Sequence, residues 1–165
     1  MSYLLVDGYN LLGSVKENME KERCDLIHKL SVYCRERTHY AILVFDGWKN
    51  GLPVESKDKI GRVTVIYSKL SETADNVIKR IIARKQKEWI VVSSDREIIN
   101  TALKHGCLYL TSGDFYSRMA SPDIIDDPYC FVEEEEVTDI KGKKKGNPRK
   151  LSKKERKRQR AIKKL

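Results

Sequence analysis

Three stretches of this chain share one design: a short apolar run that ends abruptly in an aspartate. Tyr3-Leu4-Leu5-Val6 runs into Asp7-Gly8-Tyr9-Asn10, Ala41-Ile42-Leu43-Val44-Phe45 into Asp46-Gly47, and Trp89-Ile90-Val91-Val92 into Ser93-Ser94-Asp95. A short continuous apolar run reads as a strand buried on both faces, as in a parallel sheet. The segments between these runs read largely as helices. Leu26, Ile27, Leu30, Tyr33 and Cys34 recur at helical spacing within residues 17–37. Ser71-Glu72-Thr73-Ala74-Asp75-Asn76 opens a second helix, capped by Ser71 or Thr73, with Val77, Ile78, Ile81 and Ile82 as its buried stripe. Ser94 with Glu97 forms a capping box for a helix through Lys104, which His105-Gly106 closes. Residues 62–67 are rich in β-branched residues and read as a strand nearer an edge, 107–110 as a fifth strand, and 115–119 as a short helix. Residues 48–60, with Asn50-Gly51 and Pro53, read as a loop. Strands alternating with helices define an α/β class with a mainly parallel sheet.

Charge is distributed unevenly. Residues 141–165 hold fourteen Lys or Arg against one acid, Glu155, so this tail carries +13 of a total of +9 and leaves −4 on residues 1–140. The division expected is a domain over 1–140 and a basic tail over 141–165. Residues 121–148 lose periodicity, although Val132 and Val137 around an acidic run are compatible with an added edge strand. Residues 151–165 have too little apolar surface to fold alone and are expected to be disordered or loosely helical until they meet a partner. The asymmetry points to nucleic acid or an anionic surface, and Lys153, Lys154, Arg156, Lys157, Arg158, Arg160, Lys163 and Lys164 are expected to bind RNA by neutralising phosphates, with a solubility tail as the plainer reading. The four cysteines form no C-x-x-C pair. Cys24, Cys34 and Cys107 lie among apolar residues and read as buried thiols, a reducing, cytoplasmic pattern. The N-terminus lacks the basic region of a signal peptide, and no run reaches the ~18 apolar residues of a membrane helix.

In a parallel sheet all strand ends face one edge, where ligands bind. Asp7, Asp75 and Asp95 are therefore expected to converge, with Asp46 beside them. Each acid alone has a plainer role. Asp7-Gly8 and Asp46-Gly47 can be turns, Asp75 and Asp95 can complement helix dipoles, and Asp114 reads as a cap. Several carboxylates cannot gather and all stay ionised unless cations neutralise them. Oxygen-only ligands suit Mg²⁺ or Mn²⁺. Asn10, Thr73, Ser93 and Ser94 are placed to orient waters or substrate.

Asp7-Gly8-Tyr9-Asn10, Val44-Phe45-Asp46-Gly47, Glu72-Thr73-Ala74-Asp75 and Val92-Ser93-Ser94-Asp95 resemble, in order and spacing, the successive motifs of NYN domains in the PIN-like nuclease superfamily, and most of all the bacterial YacP-like branch. The resemblance covers roughly residues 1–140. It implies a three-layer α/β/α PIN-like fold, a Mg²⁺ or Mn²⁺ site, and endoribonuclease activity on mRNA at or near the ribosome. By position, Asp7, Asp75 and Asp95 would be the acidic site, with Asn10 and Asp46 supporting it. The superfamily often has Glu in the second acidic position, where this chain offers Asp75. The competing reading is a non-catalytic RNA-binding or ribosome-associated module. A phosphatase with Asp7 as nucleophile would need a second Asp where this chain has Tyr9.

Overall fold

The computed structural model describes residues 1–13, 18–47, 54–84, 86–120 and 152–165. In chain order the elements are β1 (Tyr3–Asp7), α1 (Gly8–Leu12), α2 (Met19–Glu36), β2 (Tyr40–Phe45), β3 (Ser56–Ile60), β4 (Val63–Tyr67), α3 (Ala74–Ala83), β5 (Trp89–Val92), α4 (Arg96–Lys104), β6 (Leu108–Leu110), α5 (Ser112–Ala120) and α6 (Lys153–Lys164). One six-stranded sheet has the order β3-β4-β2-β1-β5-β6. Every pairing is parallel except β3 with β4. The expected α/β class, with its mainly parallel sheet and two flanking layers, is the fold observed.

The strand alternation sorts side chains onto the two faces. Leu4, Val6, Leu43, Phe45, Ile90 and Val92 pack with α1, α2, α5 and α6 through Leu11, Leu26, Leu30, Phe115 and Ala161. Leu5, Val44 and Val91 point to the opposite face, against Val77, Ile78 and Ile82 of α3 and Ile98 and Ala102 of α4. Burial of β1 on both faces explains its unbroken apolar run.

Several expectations are corrected. Residues 56–60 form a strand rather than a loop. β3, Ser-Lys-Asp-Lys-Ile, is mostly exposed and pairs antiparallel at the sheet edge, so it carries charge where a buried strand would carry apolar residues. Asp7 caps α1, so a helix follows β1 directly where a turn is expected. Asp95 rather than Ser94 is the N-cap of α4, while at α3 the cap is Thr73, one of the two candidates expected. Cys34 and Cys107 are buried as expected, but Cys24 is exposed, because it falls on the side of α2 away from the buried Leu26, Leu30 and Tyr33. Val132, Val137 and Cys130 lie outside the described residues.

The largest departure is residues 152–165. Instead of a loose tail, α6 lies along β6, with Ala161 fully buried and Leu165 8% exposed. Arg158 forms a bidentate pair with Asp114, at 2.9 Å from Nε and 2.8 Å from Nη2. Lys157 Nζ donates to the Leu103 carbonyl at the end of α4, and Lys164 Nζ meets Glu88. The helix fails the sequence test because its small apolar face gains value only against a sheet already formed.

Gly8 and Gly47 are required by close packing. A methyl at Gly8 would collide with the Phe45 ring, and one at Gly47 with the Ser68 carbonyl oxygen. Backbone cannot retreat as a flexible side chain can, so Gly47→Ala is expected to cost about 2–4 kcal/mol, the range of a severe overpacking. A thermal melt should fall by roughly 5–15 °C. An unchanged melting temperature would contradict the close approach of the segments that follow β2 and β4.

Candidate active site

β1, β2 and β5 are adjacent and parallel, so their carboxyl ends present Asp7, Asp46 and Ser93 at one edge of the sheet. The start of α3 brings Asp75 to the same edge. Asp7 is 7% exposed and doubly bonded: Oδ1 accepts from the Asn10 amide at 3.2 Å, and Oδ2 from Ser93 Oγ at 3.2 Å. Ser93 Oγ in turn accepts from the Asp95 amide at 3.1 Å. One buried hydroxyl therefore couples β1 to the start of α4.

Asp46 and Asp95 both hold helix ends. Asp46 Oδ1 accepts from the Ala74 amide at 2.6 Å, fastening α3 to the end of β2. Asp95 Oδ1 accepts from the amides of Glu97 and Ile98. These contacts occupy one oxygen of each carboxylate. Thr73 Oγ1 accepts from the Asn76 amide at 3.4 Å, so its hydroxyl serves α3. Asp75 is half-buried in the first turn of α3.

A second network joins the three elements next to Asp7. Asn10 Oδ1 accepts from the Ser94 amide at 2.8 Å and from Ser112 Oγ at 2.6 Å, and the Ser112 amide donates to Ser94 Oγ at 3.1 Å. Two donors on Oδ1 fix the amide orientation of Asn10, with Nδ2 as its donor. Ser112 is the residue that sequence reasoning misses. Its signal lies in Thr111-Ser112-Gly113-Asp114, which follows β6 as the other polar motifs follow their strands. Thr111 rather than Asp114 caps α5: its Oγ1 accepts from the Asp114 amide, while Asp114, in the first turn, accepts in return from the Thr111 amide and also anchors Arg158. Lys79 is a second such residue. It reaches Glu97 at 2.6 Å and lies within the field of Asp75 and Asp95.

The electrostatics single out Asp7. Burial pushes its carboxyl up to about 6, and the negative charges of Asp75 and Asp46 push the same way, against the hydrogen bonds from Asn10 and Ser93. Burial also raises Asp75, with Asp95 and Asp46 adding to the effect and Lys79 opposing it. The acids thus feel one another's fields. Their donor set is oxygen alone, which suits Mg²⁺ or Mn²⁺. Among the described residues no three such side chains are gathered into a ready-made ligand cage. A Mg²⁺ site built on one or two carboxylates, with waters and substrate phosphate completing it, does not require such a cage.

A mainly parallel three-layer α/β domain with acids along one sheet edge is the architecture expected of a PIN-like domain. The chain belongs to the YacP-like NYN domain family, whose model matches residues 4–164. That span includes α6. The chain is similar to the uncharacterized protein YacP of Bacillus subtilis (strain 168), with 39% identity over 89 residues. The aligned part is 49% of this chain and spans about half, 51%, of that relative. Its fold is similar to the crystal structure of Rae1 (YacP) from Bacillus subtilis, with 28% identity and a TM-score of 0.58 over 73% of this chain and 74% of that one. A point mutant of the same protein aligns with a TM-score of 0.60 and 27% identity, over 73% and 76% of the two chains. Family membership supports a nuclease or RNA-related role. No helix among the described residues is long and apolar enough to cross a membrane.

Proposed function

We propose that this protein is a metal-dependent endoribonuclease that cleaves single-stranded RNA, with mRNA at the ribosome as its substrate in the cytoplasm. The observation that carries this reading is the buried Asp7 carboxyl, raised by desolvation and by Asp75 and Asp46 at the same sheet edge. Mg²⁺ or Mn²⁺ would be held by one or two carboxylates of the set Asp7, Asp75 and Asp95, with Asp46 alongside and waters completing the coordination. A divalent ion held there would supply a water of lowered pKa and a positive charge beside the phosphodiester. The protein's own groups do the positioning. Ser93 and the Asn10 amide hold both oxygens of Asp7 in place. Asn10 offers Nδ2 to a phosphate oxygen, because Ser94 and Ser112 occupy its Oδ1.

The exposed cations of α6, Lys153, Lys154, Arg156, Arg160 and Lys163, supply a sequence-independent hold on phosphates. Lys157, Arg158 and Lys164 are engaged with the body of the domain, so only part of the predicted basic element faces RNA. Arg160, Lys163 and Lys164, with Lys87, line a cleft of about 870 Å³ beside Trp89 that extends this basic surface.

The reading is tested by incubating labelled RNA with the protein, with and without ribosomes, in Mg²⁺, Mn²⁺ and EDTA. Cleavage that needs the metal and is enhanced by ribosomes is expected. Metal-independent cleavage, or none in any arm, would contradict it. Millimolar Mg²⁺ or Mn²⁺ should also raise the melting temperature, since a ligand that binds only the native state adds about 2.7 kcal/mol at a hundredfold excess over Kd. Asp75→Asn and Asp95→Asn should weaken that rise. Asn still serves as an N-cap acceptor at position 95, so the fold is kept. A metal-induced rise of wild-type size in both variants would remove these acids from the site.

A further inference from the structure

We infer that the cleft between α1, α2 and α5 is a nucleobase subsite, which seats an unstacked base of the RNA strand next to the scissile phosphate and favours a base with an exocyclic amino group. The inference rests on the nuclease reading and adds to it a substrate contact outside the acidic edge. The cleft measures about 580 Å³, within the roughly 300–1,000 Å³ of small-molecule pockets. Its walls are single faces of two helices. Glu22, Asp25 and Lys29 follow i, i+3, i+7 along α2, and Gly113 with Tyr116 lines α5. Leu11 and Leu26, both buried, form its floor.

Three observations identify the occupant. First, the cleft is continuous with the candidate active site. Asn10 and Ser112 line it, and the hydrogen bond of 2.6 Å between them belongs to the network beside Asp7. A strand whose phosphate lies at Asp7 would therefore bring a neighbouring nucleotide to this opening. Second, Tyr116 is 48% exposed in the wall of the cleft, an aromatic face of the kind on which single-stranded bases stack. No methyl-sized obstacle stands at Gly113, where an added Cβ meets nothing within 4 Å. Third, the charge of the wall discriminates. Glu22 and Asp25 outnumber Lys29, so a phosphate is disfavoured, while carboxylates accept from amino groups on base edges. Adenine, cytosine and guanine offer such an amino group and uracil does not.

The test is equilibrium binding in EDTA, where the metal-dependent reaction is silent. Fluorescein-labelled pentauridine is compared with pentamers carrying one cytidine at each position in turn. The wild-type protein should bind one of the cytidine pentamers several-fold more tightly than pentauridine. Tyr116→Ala should weaken that complex roughly tenfold, and Tyr116→Trp should restore it, since any aromatic face stacks. Glu22→Gln combined with Asp25→Asn should level the preference. Wild-type affinity in Tyr116→Ala, or a preference that survives in the double variant, would overturn the subsite. A parallel cleavage arm in Mg²⁺ separates the two readings. Base-selective binding without any cleavage supports the subsite and sinks the nuclease reading. Cleavage with an unchanged kcat/KM in Tyr116→Ala keeps the nuclease reading and overturns the subsite.

Discussion

Asp7→Asn is expected to abolish RNA cleavage, lowering the rate by about 10³-fold or more, while making the metal-free protein more stable at neutral pH. A charged group at a reacting phosphate acts in a desolvated site, where its electrostatic contribution is large. The same desolvation makes the charge costly to the fold. The Asp7 carboxyl is raised from 3.8 to about 6 on folding. Between those values the native state holds a proton that the unfolded chain has released, so stability falls as pH rises through that window and then levels off. The ionised carboxylate costs about 3 kcal/mol above the window. Asparagine removes that charge and can still accept from the Asn10 amide through Oδ1. The variant should therefore lose most of the decline between pH 4 and 6 in denaturant titrations performed in EDTA. It should also exceed the wild type in stability at pH 7.5. A variant that is inactive and markedly less stable at pH 7.5 would mean that Asp7 is a structural cap of α1 and nothing more.

Deleting residues 152–165 is expected to lower stability by on the order of 3–5 kcal/mol, a large fraction of the 5–15 kcal/mol typical of a domain. The loss combines the burial of Leu165 and Ala161 with the Arg158–Asp114 pair. A buried Leu contributes about 1.5–3 kcal/mol. The ion pair is partly exposed, at 31% and 22%, so screening holds it near about 1 kcal/mol despite its bidentate geometry. The melting temperature should fall by roughly 10–20 °C. A second variant separates packing from charge. Gln at Lys153, Lys154, Arg156, Arg160 and Lys163 leaves the buried face of α6 intact and should melt within a few degrees of the wild type, since surface substitutions away from special features change stability by about ±0.5 kcal/mol. Its RNA affinity should depend less on salt. The slope should be shallower by up to about 3.5, at roughly 0.7 for each phosphate that is no longer neutralised. A deletion that leaves the melting temperature unchanged would return this segment to the loose tail that its sequence suggests.

The legibility of the chain follows from where the information lies. β1, β2 and β5 can be read because each is a local apolar run bounded by polar residues, and the edge they share follows from parallel pairing alone. That Asp7, Asp46 and Asp75 share one edge of the sheet is therefore visible in the sequence. Which oxygen each acid spends is not. Asp46 is bound to the Ala74 amide twenty-eight positions away, and Ser112 meets Asn10 across 102 positions. Such partners are set by tertiary approach, and no local pattern encodes them. β3 escapes notice because an exposed edge strand needs no apolar alternation. α6 misleads for a related reason. Ala161 and Leu165 make a face too small to fold alone, and Asp114, which fixes Arg158, lies forty-four positions away.

Whether the acidic edge of the sheet cleaves RNA through a divalent cation is tested most directly by one titration. The initial rate of cleavage of a 5′-labelled single-stranded RNA is followed as Mg²⁺ is added to EDTA-treated protein, for the wild type and Asp7→Asn side by side. A rate that rises from background to saturation in the wild type and stays at background in the variant at every concentration is the predicted result. A wild-type rate independent of Mg²⁺, or equal saturating rates in the two proteins, would contradict it.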